Sequence, residues 1–86
     1  MEVRITVKGK PTYERWTLVQ WILEIKDIIE SEYGVRLIIE EKDSFEDLPV
    51  LCINDEEVLM GLPGEEGYLI EVLKKHLDRF LCSEKD

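Results

Sequence analysis

The sequence predicts a small α/β domain, and three patterns carry that prediction. Near the amino terminus, Val3, Ile5 and Val7 alternate with polar residues, which is typical of a strand with one buried face. Residues 13–33 repeat apolar side chains at helical spacing. Leu48–Gly61 reads as a proline-led apolar strand, a polar turn, a short strand and a glycine, and a second amphipathic segment follows it. These segments predict the order β-α-β-β-β-α.

Length and charge limit the classes of function. A chain of 86 residues has room for one core, which we place in residues 1–82, with a frayed tail at residues 83–86. The formal net charge of −9 makes the protein acidic and argues against nucleic acid as a partner, because phosphates are repelled. No apolar run or leader pattern predicts a membrane partner or export, so we expect a cytoplasmic protein. The absence of alanine and the abundance of Glu, Lys and Ile resemble proteins of thermophiles.

The first helix is predicted from Tyr13 to Tyr33, with Thr12 as its amino-terminal cap and Gly34 as its left-handed stop. At 100° per residue, four side chains form its core face: Leu18, Ile22, Ile25 and Ile29. Trp16 and Leu23 lie nearly opposite that face, and Val19 lies at its border. Large apolar side chains on an outer helix face predict an interaction surface.

The remaining segments complete a four-stranded mixed sheet with two long helices on one face. Val35–Glu40 follows the helix as a parallel strand, and Glu41–Asp47 is a polar link. Val50–Ile53 and Val58–Met60 form a hairpin across four turn residues. The last helix begins near Glu65 and buries one apolar face, made by Leu69, Val72, Leu73, Leu77 and Phe80.

The second sheet face has no predicted helix to cover it. Ile38, Leu59 and one of two alternating pairs, Leu51 with Ile53 or Val50 with Cys52, are expected on this face. Phe45 and Leu48 on the link are expected to fold over it, and Phe45 is added to the predicted interaction surface. The outer strand of the hairpin also offers an unpaired edge for dimerisation or peptide addition.

Element order, the proline before the third strand and the glycine after the fourth resemble the thioredoxin fold, and the glutaredoxin-like branch is closest in size. The resemblance implies that Pro49 is cis. Active members carry CxxC or one cysteine where the first strand meets the first helix, but residues 9–15 contain none. The alternative topology is ferredoxin-like, with the order βαββαβ. It requires a strand after the last helix, and residues 81–86 are a poor candidate for that strand.

Lys8, Lys10 and Arg15 surround the start of the first helix, where free amides favour anions. Together with Thr12 they make a candidate site for phosphate, a carboxylate or a peptide terminus. The resemblance adds Pro49, because glutathione-binding relatives hold the tripeptide with cations here and with the backbone beside the cis proline. The alternative is solvated cations flanking a turn.

Cys52 and Cys82 are far apart in the sequence and are expected to be free thiols in a reducing cytosol, with a disulfide between them as the alternative. Cys52 is predicted to be a small buried hydrophobe, and its alternative role is a redox thiol with Cys82 as the resolving partner. His76 lies on the last helix without other ligands near it in sequence, so we predict no metal. No catalytic motif is found and no cofactor is predicted.

The leading interpretation is a non-catalytic thioredoxin-like interaction module that binds a protein partner or forms a homodimer. The first alternative is a divergent thiol protein that uses Cys52, and the second is a regulator that binds glutathione or another small anion. The identity of the partner does not follow from the sequence.

Overall fold

The computed structural model describes the backbone of residues 1–84 and the side chains of residues 1–79. Its elements follow the predicted order: β1 (Glu2–Gly9), α1 (Tyr13–Tyr33), β2 (Arg36–Asp43), β3 (Val50–Ile53), β4 (Glu56–Met60) and α2 (Glu66–Glu84). Residues 83 and 84, predicted as the start of a frayed tail, continue α2. The predicted side-chain roles of Phe80 and Cys82, and residues 85–86 of the predicted tail, lie outside the described residues.

Local signals set the limits of α1, which agree with the prediction. The Thr12 hydroxyl accepts from the Arg15 backbone N–H at 3.3 Å, so it caps the first turn. Gly34 ends the helix with φ 65°, and its N–H donates to the Glu30 carbonyl at 2.9 Å. The predicted core face is buried along its whole length.

The sheet has the strand order β2-β1-β3-β4, with β2 parallel to β1 and both hairpin strands in antiparallel pairs. One face of the sheet presents Val3, Ile5 and Val7 beside Leu51 and Ile53. These side chains share one buried cluster with residues of both helices. The domain therefore has two layers, a mixed sheet and a pair of helices on one face of it.

The hairpin is tighter than predicted. Asn54 and Asp55 form a two-residue turn, with φ of 50° and 71°, and β4 already begins at Glu56. The register pairs Leu51 with Leu59 but Cys52 with Glu57, so Val58 is an extra residue in β4. This bulge bends the outer strand of the hairpin.

The link between β2 and β3 departs from the prediction. β2 continues to Asp43, three residues further than expected, because its charged end still pairs with β1. Phe45 is 97% exposed and does not cover the sheet. Pro49 is buried but trans, since no peptide bond in the described chain is cis. Trans is the intrinsically favoured isomer, and the leucine-proline pair alone does not enforce the other.

Candidate interaction surface

The cations at the start of α1 have carboxylate partners within the chain. Arg15 is nearly buried, and it contacts Asp43 at 2.6 Å and Glu41 at 3.5 Å. Its guanidinium also donates to the Gly9 carbonyl at 3.0 Å. These contacts fasten the beginning of α1 to the ends of β1 and β2, so Arg15 has a structural role here.

Lys10 and Lys8 are paired as well. Lys10 Nζ lies 2.6 Å from Asp47, whose pKa is lowered by that hydrogen bond. Lys8 Nζ lies 3.3 Å from Glu57 on β4. An anion at the predicted Lys8-Lys10-Thr12-Arg15 corner would have to displace these carboxylates. The Pro49 carbonyl accepts a hydrogen bond from the Gly61 N–H at 2.6 Å.

The second sheet face is covered by charged side chains. The Lys8–Glu57 pair joins β1 to β4 and therefore passes over β3, which lies between them. Val50 and Cys52 are the β3 residues on this face, and both are buried. The long aliphatic stem of Lys8 shields apolar surface while its ammonium remains at the surface. Leu59 pairs with Leu51 and belongs to the helix face instead.

Cys52 is a free thiol below this charged pair. Burial raises its pKa, and the nearby Glu57, Asp55 and Glu46 carboxylates raise it further, against the lowering effect of Lys8. Nucleophilic and redox-active thiols have the opposite character, an exposed sulfur with a lowered pKa. This environment is that of a structural cysteine.

A groove of about 470 Å³ lies between β4 and α2. His76 Nε2 contacts Glu56 at 3.0 Å across one part of it, and Tyr68 and Lys75 line other parts. Within the described residues, no group of three or more His, Cys, Asp or Glu side chains is placed to hold a metal ion. Acidic, basic and apolar side chains therefore line the groove together.

The outer face of α1 carries exposed apolar side chains, as predicted for Trp16 and Leu23, which are 55% and 47% exposed. Val19 is buried, so it supports the core and not this surface. Tyr13 stacks on Trp16 with ring centroids 5.8 Å apart, which holds the indole in place at the surface.

The outer edge of β2 is the second feature of this side of the molecule. Arg36 donates its N–H toward β1, to the Met1 carbonyl at 2.9 Å, and Ser44 donates to Gly9 at 3.1 Å. Because backbone groups alternate along a strand, those of Leu37 and Ile39 point away from the sheet. The Leu37 N–H donates to the Glu30 carboxylate of α1 at 2.8 Å. This bond lowers the pKa of Glu30, and Lys26, 3.3 Å away, adds to the effect.

The apolar residues of α1 and the edge of β2 adjoin each other. Trp16, Leu23 and Glu30 follow one another at intervals of seven, so they form a single row along the helix. Since Glu30 at the end of the row contacts the β2 edge, the row lies on the flank of α1 that faces β2. We call the exposed row Trp16, Leu23 and Glu30 together with the outer edge of β2 the β2-side surface.

No model of a known protein family, no curated protein and no solved structure matches the chain. Neither helix in the described part of the chain has the length and apolar character needed to cross a membrane.

Sequence reasoning found the apolar part of the β2-side surface but missed the strand edge. It expected an accessible edge at β4, whereas the longer and more regular edge belongs to β2. The contact of Glu30 with Leu37 was also missed. The one available signal was the spacing of seven from Leu23 to Glu30, which extends the row toward the strand.

Proposed function

We propose that this chain is a non-catalytic thioredoxin-like interaction module that associates with a second copy of itself through the β2-side surface. One observation carries the proposal: the exposed large apolar side chains of α1 lie in the same helical row as Glu30, which contacts a regular strand edge. Each feature alone is common on protein surfaces, but together they form a contiguous surface suited to another polypeptide.

The thioredoxin-like assignment is part of this proposal. It is supported by the order β-α-β-β-β-α and by the four-stranded mixed sheet. The trans peptide before Pro49 and the lack of a cysteine at the start of α1 depart from the active members of that family. A cytoplasmic location also remains a proposal, supported by the free thiol of Cys52, which suits a reducing compartment.

The two alternative functions have less support. A redox role for Cys52 requires an accessible thiolate, and the sulfur is buried with a raised pKa. Anion binding at the start of α1 requires free cations, and Lys8, Lys10 and Arg15 each contact a carboxylate of the chain. Neither geometry favours the alternative over the interaction module.

Sedimentation across a dilution series tests the proposal, with Leu23→Asp as the disrupting variant. A charge in the centre of the row should prevent apolar contact between copies and shift the protein to monomer. Ile28→Asp is the matched control, because Ile28 is 57% exposed on α1 but lies on its opposite flank. A wild-type chain that stays monomeric at every concentration overturns the proposal, as does equal behaviour of the two variants.

A further inference from the structure

We infer that two copies join edge to edge through β2, antiparallel, with Ile38 of each copy opposite Ile38 of the other at a two-fold axis. The inference rests on the proposed self-association and specifies its geometry. The two sheets would form one continuous sheet of eight strands. Such an interface is isologous, so every contact away from the axis occurs twice.

The backbone of β2 is directed as this arrangement requires. Leu37 and Ile39 point their N–H and C=O groups outward, as the inward bonds of Arg36 and Ser44 imply. In the register centred on Ile38, Leu37 lies opposite the partner's Ile39. Each such pair exchanges two hydrogen bonds, so the two symmetric pairs make four.

The side chains of β2 are self-complementary in this register. On the second sheet face, Arg36 lies opposite the partner's Glu40, whose carboxylate it would share with Arg4 of that same partner copy, 3.3 Å from Glu40 in the single chain. Ile38 lies opposite its own copy. On the helix face, Leu37 lies opposite the partner's Ile39, which continues the apolar layer across the axis. Over the five residues 36–40, each charged residue therefore lies opposite one of opposite charge, and each apolar residue lies opposite another apolar residue.

The two neighbouring registers lack this property. A shift in one direction places Arg36 opposite the partner's Lys42 and Ile38 opposite the partner's Glu40. A shift in the other direction places Leu37 opposite its own copy at the axis and Arg36 opposite the partner's Ile38. The first shift opposes like charges and the second leaves Arg36 without an acidic residue opposite it, so the register centred on Ile38 is favoured.

The helices fit the same arrangement. α1 packs on both β1 and β2, so its axis lies above the boundary between those strands. With strands about 4.8 Å apart, the two copies of α1 would lie about 10 Å apart across the axis, the distance at which helices pack. The rows that contain Leu23 and Glu30 would face each other there.

Glu30 has to release one bond for the strands to join. In the single chain its carboxylate accepts from the Leu37 N–H, which the partner's Ile39 carbonyl would take over. Lys26 remains beside Glu30 in either state, so the carboxylate keeps a partner of opposite charge. Glu30 thus competes with the second copy for the first outward N–H of the edge.

Mixing two charge variants tests the register. Arg36→Glu alone places two carboxylates opposite each other at both symmetric positions, and Glu40→Arg alone places two guanidiniums there. Each variant should dimerise about tenfold more weakly than wild type. An equimolar mixture restores both attractive pairs and should dimerise like wild type. Lys42→Glu, which changes the charge by the same amount outside the five-residue pairing, should behave as wild type.

The outcomes separate this inference from the proposed function. Melting and circular dichroism first establish that each variant folds. If the wild type dimerises and Leu23→Asp breaks the dimer, but the charge variants dimerise normally or their mixture shows no rescue, the register is wrong while self-association stands. If the wild type stays monomeric at every concentration, the proposed function and the inference both fail.

Discussion

The two edges of the sheet differ in how they are protected. β4 is five residues long, carries Glu56 and Glu57 at its start and contains a bulge at Val58. β2 is eight residues long and pairs with β1 without interruption. A bulge interrupts the regular run of outward backbone groups and hinders the addition of another strand, and a long regular edge favours it.

The protection of β2 comes from another element of the chain. The carboxylate of Glu30 on α1 accepts a hydrogen bond from the first outward N–H of β2. The bulge that protects β4, in contrast, belongs to β4 itself. A bulge cannot be removed without rebuilding the strand, but a side chain can turn away. The β4 edge is therefore closed by its own backbone, and the β2 edge is closed by a side-chain contact that can be exchanged.

Proline substitutions in β2 should produce the largest effects. Ile38→Pro removes an N–H that points to β1 and should destabilise the fold by about 2–3 kcal/mol. Ile39→Pro removes an outward N–H and some apolar contact, so we expect a cost of only about 1–2 kcal/mol and the loss of self-association. Thermal melting and sedimentation measure the two effects.

Met60→Pro is the corresponding control at β4. The Gly61 N–H donates inward to Pro49, so the preceding Met60 N–H points away from the sheet. This variant should keep wild-type self-association. If Met60→Pro lost self-association and Ile39→Pro retained it, the interface would lie at β4 and not at β2.

Removing the carboxylate of Glu30 should produce a smaller effect of opposite sign. Glu30→Ala frees the Leu37 N–H and should strengthen self-association several-fold while it lowers the melting temperature of the monomer. Sedimentation across a dilution series at one pH measures the change in self-association. A variant that associates more weakly than wild type would show that Glu30 supports the interface instead of competing with it.

The pH dependence of Glu30 has a defined sign. Its pKa in the folded chain is lowered from 4.5 by the Leu37 N–H, so its contribution to stability is present above that pH and is lost as the pH falls through the lowered value. The same protonation weakens the contact that closes β2. Self-association should therefore increase with acidification, and less so in Glu30→Gln, when both are measured by sedimentation at matched ionic strength.

Much of this architecture could be predicted from the sequence because local signals encode it. Thr12 and Gly34 mark the ends of α1, and alternation in β1 assigns its buried face. The end of β2 was missed because residues 40–43 are charged and show no alternation. The cis Pro49 was inferred from a resemblance, which does not determine a peptide isomer.

The candidate site was less predictable because its contacts join distant elements. Trp16 and Leu23 are visible on a helical wheel, but the charged cover over Cys52 depends on the strand order that places β3 between Lys8 and Glu57. The outward direction of Leu37 depends on the pairing of β2 with β1. Neither follows from periodicity.

The smallest predicted effect concerns β4. Glu57→Gln weakens the pair with Lys8 above Cys52 and removes a charge that raises the thiol pKa, so alkylation of Cys52 should accelerate a few-fold. Labelling in a Cys82→Ser background isolates this thiol. Self-association should not change, since β4 lies at the far edge. An altered dimer affinity would contradict the division of roles between the edges.

Amide hydrogen exchange at Ile39 reports whether a second copy adds to the edge of β2. Its N–H points out of the sheet and gains a carbonyl partner only when a second copy adds to β2. We predict that its exchange slows as protein concentration rises, while exchange at the outward Met60 amide of β4 stays constant. Exchange at Ile39 that is independent of concentration across the range in which the protein associates would show that β2 is not the interface.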